Sequence, residues 1–262
     1  MVMCRNLMFV TLKQNGSRIP ICVLEDILKS AIYNNDGFGI YVKFMKREFL
    51  VRTLSLFEYT RALVRLENEN IILLHTHLRA ATSGLISIEN VHLWSLNGIM
   101  FSHNGYVSKY TANACSTVKI RLFRKKIIEK KNENKEINKD SDSKQFFFNN
   151  SDKIAQYLLE SNIKGLKEIC KNEGLYGVVM INDRNGNFTA LGLGKPLYLY
   201  VLKKNKALIV SNTSMYISNA NEIKCESVRG QAGEPKFYYK KWKEGKIIEI
   251  YKNNWYWYDW YT

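Results

Sequence analysis

An α+β fold is what this chain predicts, on three observations. Its helices and strands come in batches and not in strict alternation. Its strand candidates are rich in β-branched and aromatic residues, and DRNGN at 183–187 has the chemistry of a hairpin turn. A doubly wound parallel sheet would need regular strand–helix alternation, which is missing.

Residues 5–12 and 38–44 read as strands, and residues 23–35 between them space their apolar side chains three and four apart, as a helix does. NNDG at 34–37 closes that helix. A second helix spans 55–70, capped by Ser55, and residues 70–80 return to strand character. GIMFSHNGYV, at 98–107, predicts a strand that runs into a sharp turn at Asn104-Gly105. The stretch from about 117 to 147 is crowded with Lys, Asn and Glu and predicts a solvated inserted loop. Two helices follow over 151–174, started by Ser151 and stopped by Gly174. Strands then alternate with turns through 176–212, and an aromatic segment ends the chain at about 240–262. The whole of 1–262 reads as a single domain.

With 46% apolar residues and 13% aromatics the chain can bury a sizeable core. No apolar run approaches the roughly 18–20 residues of a membrane helix, and no secretory signal is visible, so a cytoplasmic protein is expected. The five cysteines are widely spaced without a CxxC, which excludes a disulfide framework and a thiolate zinc site as readings. The net charge of +15 and the WYWYDWY tail would suit a nucleic-acid partner. The charge is spread through Lys/Asn-rich segments, however, and is equally a solvated surface.

All four histidines fall between 75 and 103. His75 and His77 share one face of a strand, as metal ligands sometimes do, but HTHLRA holds no carboxylate to complete a set. Arg79 on the same face would repel a divalent ion. Arg79, followed by small and hydroxyl residues, instead suits a fork aimed at a carboxylate, with Thr82 as a helper. In SHNGY, the Asn104 amide and the Gly105 N–H are neighbouring donors that could converge on one oxygen, the design of an oxyanion hole. By itself His-Asn-Gly is also an ordinary turn.

Taken in order, Cys4-Arg5, DGFGIY at 36–41, HTHLRAATSG, ENVHLW at 89–94, FSHNGYV and SDKIAQYLL at 151–159 resemble the class II glutamine amidotransferases, amino-terminal-nucleophile (Ntn) hydrolases, of the stand-alone type. The resemblance implies a four-layer αββα sandwich of two antiparallel sheets between helical layers, with no cofactor and no metal. It implies that Cys4 is the nucleophile, its own α-amino group acting as base once the residues before it are gone. Asn104 and Gly105 would hold the oxyanion. Arg79, with Thr82, would bind the α-carboxylate of glutamine, and Asp152 its α-ammonium. His77, His92 and His103 would be structural, with His92 and Asn90 ordering the loop into the site.

Met1-Val2-Met3 precede Cys4, so the implied activity requires a start at Met3 or trimming. The family's usual His-Pro is His92-Leu93 here, which implies a different loop shape. DSDSK at 140–144 rivals NSDK for the acidic motif. Asp152 is preferred because it heads an apolar helix, while Asp142 falls in the charged insertion. The implied substrate is glutamine or a small γ-glutamyl amide, hydrolysed through a thioester with release of ammonia and glutamate. A separate synthase subunit accepting the ammonia and a homo-oligomer both stay open. The alternatives are a catalytically silent fold kept for binding and a basic nucleic-acid-binding protein.

Overall fold

The structure is a computed structural model that describes residues 4–111, 140–218, 220, 222–235, 237–243 and 247–250. Its strands are β1 (Arg5–Thr11), β2 (Phe38–Lys43), β3 (Glu48–Thr53), β4 (Leu73–Leu78), β5 (Trp94–Leu96) and β6 (Ile99–Val107). They continue as β7 (Leu175–Asp183), β8 (Asn187–Leu193), β9 (Leu197–Leu202), β10 (Ala207–Ser211), β11 (Glu222–Gln231), β12 (Phe237–Lys241) and β13 (Ile247–Ile250). The helices are α1 (Ile21–Tyr33), α2 (Leu56–Val64), the single turn α3 (Ser108–Thr111), α4 (Asp142–Leu159) and α5 (Ile163–Asn172).

The strands pair antiparallel in the order β3-β2-β4-β1-β10-β9-β11-β8-β7-β6-β5, with β12 on β11 and β13 on β12. β11 carries the sheet around. Its first half pairs with β9 and its second half with β8, across an irregularity between Cys225 and Ser227. The sheet therefore curls until β1 lies against β6 and β7. Alternation along β1 sorts its side chains into two environments. Leu7 and Phe9 pack toward α1 and α2, with Val23, Ile27, Tyr59 and Leu63. Met8 and Val10 face the interior of the curl, against Met100, Val178 and Met180. A third cluster joins Phe101, Val179 and Ile181 of β6 and β7 to Phe146, Phe147, Ile154 and Leu158 of α4.

The strand and helix readings hold for β1, β2, α1 and α2, and Ser55 caps α2 by accepting from the Glu58 N–H at 3.3 Å. Two readings are corrected. First, α4 starts at Asp142, inside what reads as the charged insertion, and not at Ser151. Ser141 caps it by accepting from Lys144 N–H, and Phe147 stacks on Phe101 with centroids 5.0 Å apart, so burial of aromatic surface outweighs the polar composition around it. Second, Asn104-Gly105 is no turn. β6 runs straight through, pairing Gly105 with Gly177. Gly105 is required there: a Cβ would stand 1.8 Å from the Tyr176 carbonyl oxygen. Gly174 does end α5, at φ 70°. The aromatic residues 251–262 and Cys115 lie outside the described residues.

Candidate active site

β1 and β4 pair with Arg5 opposite Leu78, so Cys4 meets the chain where it leaves β4. The Cys4 thiol donates to the Ala80 carbonyl at 3.3 Å, and the Ala80 N–H points at Sγ from 3.2 Å. Burial pushes the thiol up from its ordinary range; the Ala80 N–H bond and the Arg79 charge pull it down. The net shift is upward. This thiol does not ionise by itself at neutral pH and needs a base to act as a nucleophile.

The segment after β4 is held by the Asp-Gly turn that precedes β2. The Asp36 N–H donates to the Arg79 carbonyl at 3.0 Å, Arg79 N–H to the Gly37 carbonyl at 2.8 Å, and Ala81 N–H to the Asp36 carboxylate at 2.9 Å. Arg79 is buried, and its guanidinium donates to the carbonyls of Ser83 (2.7 Å) and Leu85 (2.9 Å). Among the described residues, two of its five donors are used in this way. It also lies within electrostatic reach of the Cys4 thiol and the Asp36 and Asp142 carboxylates. Thr82 is exposed in the same loop.

Asp142, the first residue of α4, is buried. One carboxylate oxygen accepts from Ser83 Oγ (2.8 Å) and from Ser143 N–H (2.8 Å), and the other accepts from Val107 N–H (2.8 Å). Asn90 ties the same corner together: its side chain accepts from Ser141 N–H (2.9 Å) and donates to the Leu85 carbonyl (3.1 Å). Gly84 makes this approach feasible, at φ 70° and with a Cβ position only 2.7 Å from the Ser141 nitrogen. Asp152 is not brought here. It is exposed further along α4 and bonds the Asn97 amide.

From the opposite side, Asn104 on β6 donates its side-chain amide to the Cys4 carbonyl at 2.7 Å. Residues distant in the sequence, Cys4, Arg79, Asn104 and Asp142, thus form one polar neighbourhood. Asn212, just past β10, joins it by donating to the same Cys4 carbonyl at 2.8 Å. Neither Asn212 nor Asp36 is visible as a site residue from composition or spacing, although Asp36 stands in the DGFGIY motif.

The histidines lie beneath this group, all buried. His77 stacks on His92 at 3.9 Å, and His92 leans on Trp94 at 4.3 Å. His92 Nδ1 accepts from the His103 N–H at 3.2 Å, and His103 bridges Ser143 Oγ (2.8 Å) to the Tyr176 carbonyl (3.1 Å). Leu93 is held at φ 67°, a conformation closed to proline, so the loop does differ in shape from one carrying His-Pro. His75 is spent on Asn182 (2.7 Å) and Ser102 (2.6 Å), and burial holds it neutral, down to about 3. Burial lowers His77, His92 and His103 as well, with His77 and His92 set further down by neighbouring positive charge. Among the described residues no group of three or more His, Cys, Asp or Glu is arranged to hold a metal.

No family model matches the chain, and no curated protein matches it in sequence. Solved structures do match in fold. Glutamine phosphoribosylpyrophosphate amidotransferase from B. subtilis superposes over 94% of this chain with TM-score 0.51 and 14% identity. A structure described as the allosteric regulatory enzyme of purine biosynthesis does so over 94% with TM-score 0.51 and 16% identity. A glutamine aminotransferase class-II domain protein from Silicibacter pomeroyi aligns over 94% of the chain with TM-score 0.46 and 14% identity. The chain spans about half the length of the first two, 49% and 48%. The chain shares the fold of these first two structures, one of them a glutamine amidotransferase: an α+β architecture built on a curled antiparallel sheet. Among the described residues no helix is long and apolar enough to cross a membrane.

Proposed function

We propose that the chain hydrolyses the side-chain amide of glutamine, or of a small γ-glutamyl amide, with Cys4 as an amino-terminal nucleophile. The supporting observation is the convergence of Cys4, Arg79, Asn104 and Asp142 on one corner of a fold shared with glutamine amidotransferases. The three apolar clusters fit a sandwich in which α1 and α2 cover one half of the curled sheet and α4 and α5 the other.

On this reading the residues before Cys4 are removed, and its free α-amine, with an ordinary pKa of about 7.7–8, takes the thiol proton. Sulfur attacks the amide carbonyl and forms a tetrahedral adduct, whose oxyanion receives donors from Asn104 and Gly105. The C–N bond then breaks, and the leaving nitrogen takes the proton held on the α-amine and departs as ammonia. Water adds to the thioester, its proton passing to the same amine. Glutamate leaves and the thiol is restored.

Arg79 supplies its unused donors to the substrate α-carboxylate, with Thr82 at the rim. Asp142 is the better candidate than Asp152 for the α-ammonium, because its carboxylate, like that of Asp36, lies within electrostatic reach of Arg79 whereas Asp152 is exposed further along α4. A cation and an anion set close together select a free amino-acid end over a glutamine within a chain. Ammonia goes to solvent or to a separate synthase. The test is glutamate release by a chain whose first residue is Cys4. Turnover lost in Cys4→Ala supports the reading, and a folded chain of that kind without turnover on glutamine or γ-glutamyl amides overturns it.

A further inference from the structure

The β1–β10 ladder stops at Leu7 opposite Ser211, three residues short of the nucleophile. Asn212 carries it on. Its backbone N–H donates to the Asn6 carbonyl at 3.1 Å. Its side-chain oxygen accepts from the Asn6 N–H at 2.6 Å, and its side-chain nitrogen donates to the Cys4 carbonyl at 2.8 Å. A side-chain amide has the donor and acceptor of a peptide group, so Asn212 acts as one more rung of sheet reaching the residue that carries the thiol. Asn212 is nearly buried, at 9% exposure, and these bonds are screened little by water.

The Cys4 carbonyl oxygen has two lone pairs, and two side-chain amides occupy it, Asn212 and Asn104. They differ in what holds them. Asn212 is clamped to Asn6 through both its backbone and its side chain, whereas Asn104 belongs to β6, on the other wall. If Asn104 turns its donor to a developing oxyanion, the carbonyl of the nucleophile loses one of its two bonds at the moment when the sulfur position matters most. Asn212 is the bond that stays.

Building on the amidohydrolase reading above, we propose that Asn212 is a positioning residue for that reaction. It fixes the main chain of Cys4 so that Asn104 can pass its donor from the Cys4 carbonyl to the oxyanion. Asn212 itself contacts no substrate, so its loss acts through the aim of the thiol and its amine and not through binding.

The experiment compares Asn212→Ala and Asn212→Asp with the parent in chains starting at Cys4. The readouts are kcat and KM for glutamine and the pH profile of Cys4 alkylation by iodoacetamide. Asn212→Asp keeps an acceptor for Asn6 but turns a carboxylate toward the Cys4 carbonyl. Expected are kcat values lowered about 10- to 100-fold, by analogy with misaligned catalytic groups, and KM within about threefold of the parent. The alkylation profile should shift in both variants. In the Asn104→Ala background the Asn212→Ala loss should shrink, since there is no donor left to aim. Parent-like kcat in both folded variants, or a raised KM at unchanged kcat, overturns the proposal. If the parent itself hydrolyses neither glutamine nor γ-glutamyl amides, the amidohydrolase reading falls. The alkylation profile then still decides whether Asn212 positions Cys4: a shift supports it and an unshifted profile refutes it.

Discussion

Ser83 Oγ donates to the Asp142 carboxylate at 2.8 Å, joining the loop after β4 to the first residue of α4. Through this bond a carboxylate from a polar, lysine-rich stretch of sequence is set beside Arg79. Removing its charge should weaken substrate binding. Hydrogen bonds to charged groups contribute about 1.5–3 kcal/mol, so Asp142→Asn is expected to raise the KM for glutamine about 10- to 100-fold. Asp152→Asn, at an exposed position, should stay within about twofold. Steady-state kinetics of the two variants decide which carboxylate reads the substrate ammonium.

Asn104→Ala removes the side-chain donor to the Cys4 carbonyl. Turnover should fall about 10²–10³-fold, while a glutamine-like ligand still binds. Arg79→Lys keeps the charge but not the fork that reaches the Ser83 and Leu85 carbonyls, and should mainly weaken binding. Isothermal titration with such a ligand, alongside kcat, separates the two effects; equal and small losses in both variants count against the assignment.

Acid should destabilise the fold through its histidines. All four are buried and their folded pKa values are depressed, so the unfolded chain binds more protons below about pH 6.5. Their neutral-state stability is intact above that pH and is lost progressively below it, for His75 until about pH 3. His75 alone should cost about 2 kcal/mol at pH 5. Urea midpoints at pH 7.5 and pH 5 check this, and a flat profile would mean that the rings are not held neutral.

Gly105→Ala tests the straight course of β6. The new Cβ would lie 1.8 Å from the Tyr176 oxygen, a backbone atom that β7 pairing holds in place. A loss of about 1–3 kcal/mol is expected, read as a lower thermal midpoint.

Much of the frame was legible because it depends on local periodicity. The alternation of β1, the apolar spacing of α1 and the Ser55 cap are decided within a few residues. The start of α4 was not, because Ser141 caps a helix whose first turns look polar and are stabilised by Phe101, far away in sequence. His-Asn-Gly reads as a turn for the same reason: only the partner strand β7 makes it extended. Asn212 was invisible in principle, since an asparagine after a strand declares its role only when Cys4 and Asn6 stand beside it. Cys4, Arg79 and Asn104 were nominated through motif order, and the structure brings them into one neighbourhood, tertiary information that spacing lacks.

Electrospray mass and glutamate release, taken on the same sample, put the chemistry of Cys4 to the test. A chain beginning at Cys4 should release glutamate and ammonia in equal amounts, and acetylating its α-amine or retaining Met1–Met3 should abolish both. Undiminished turnover from chains that keep those residues, or none from a folded chain that lacks them, would contradict the account.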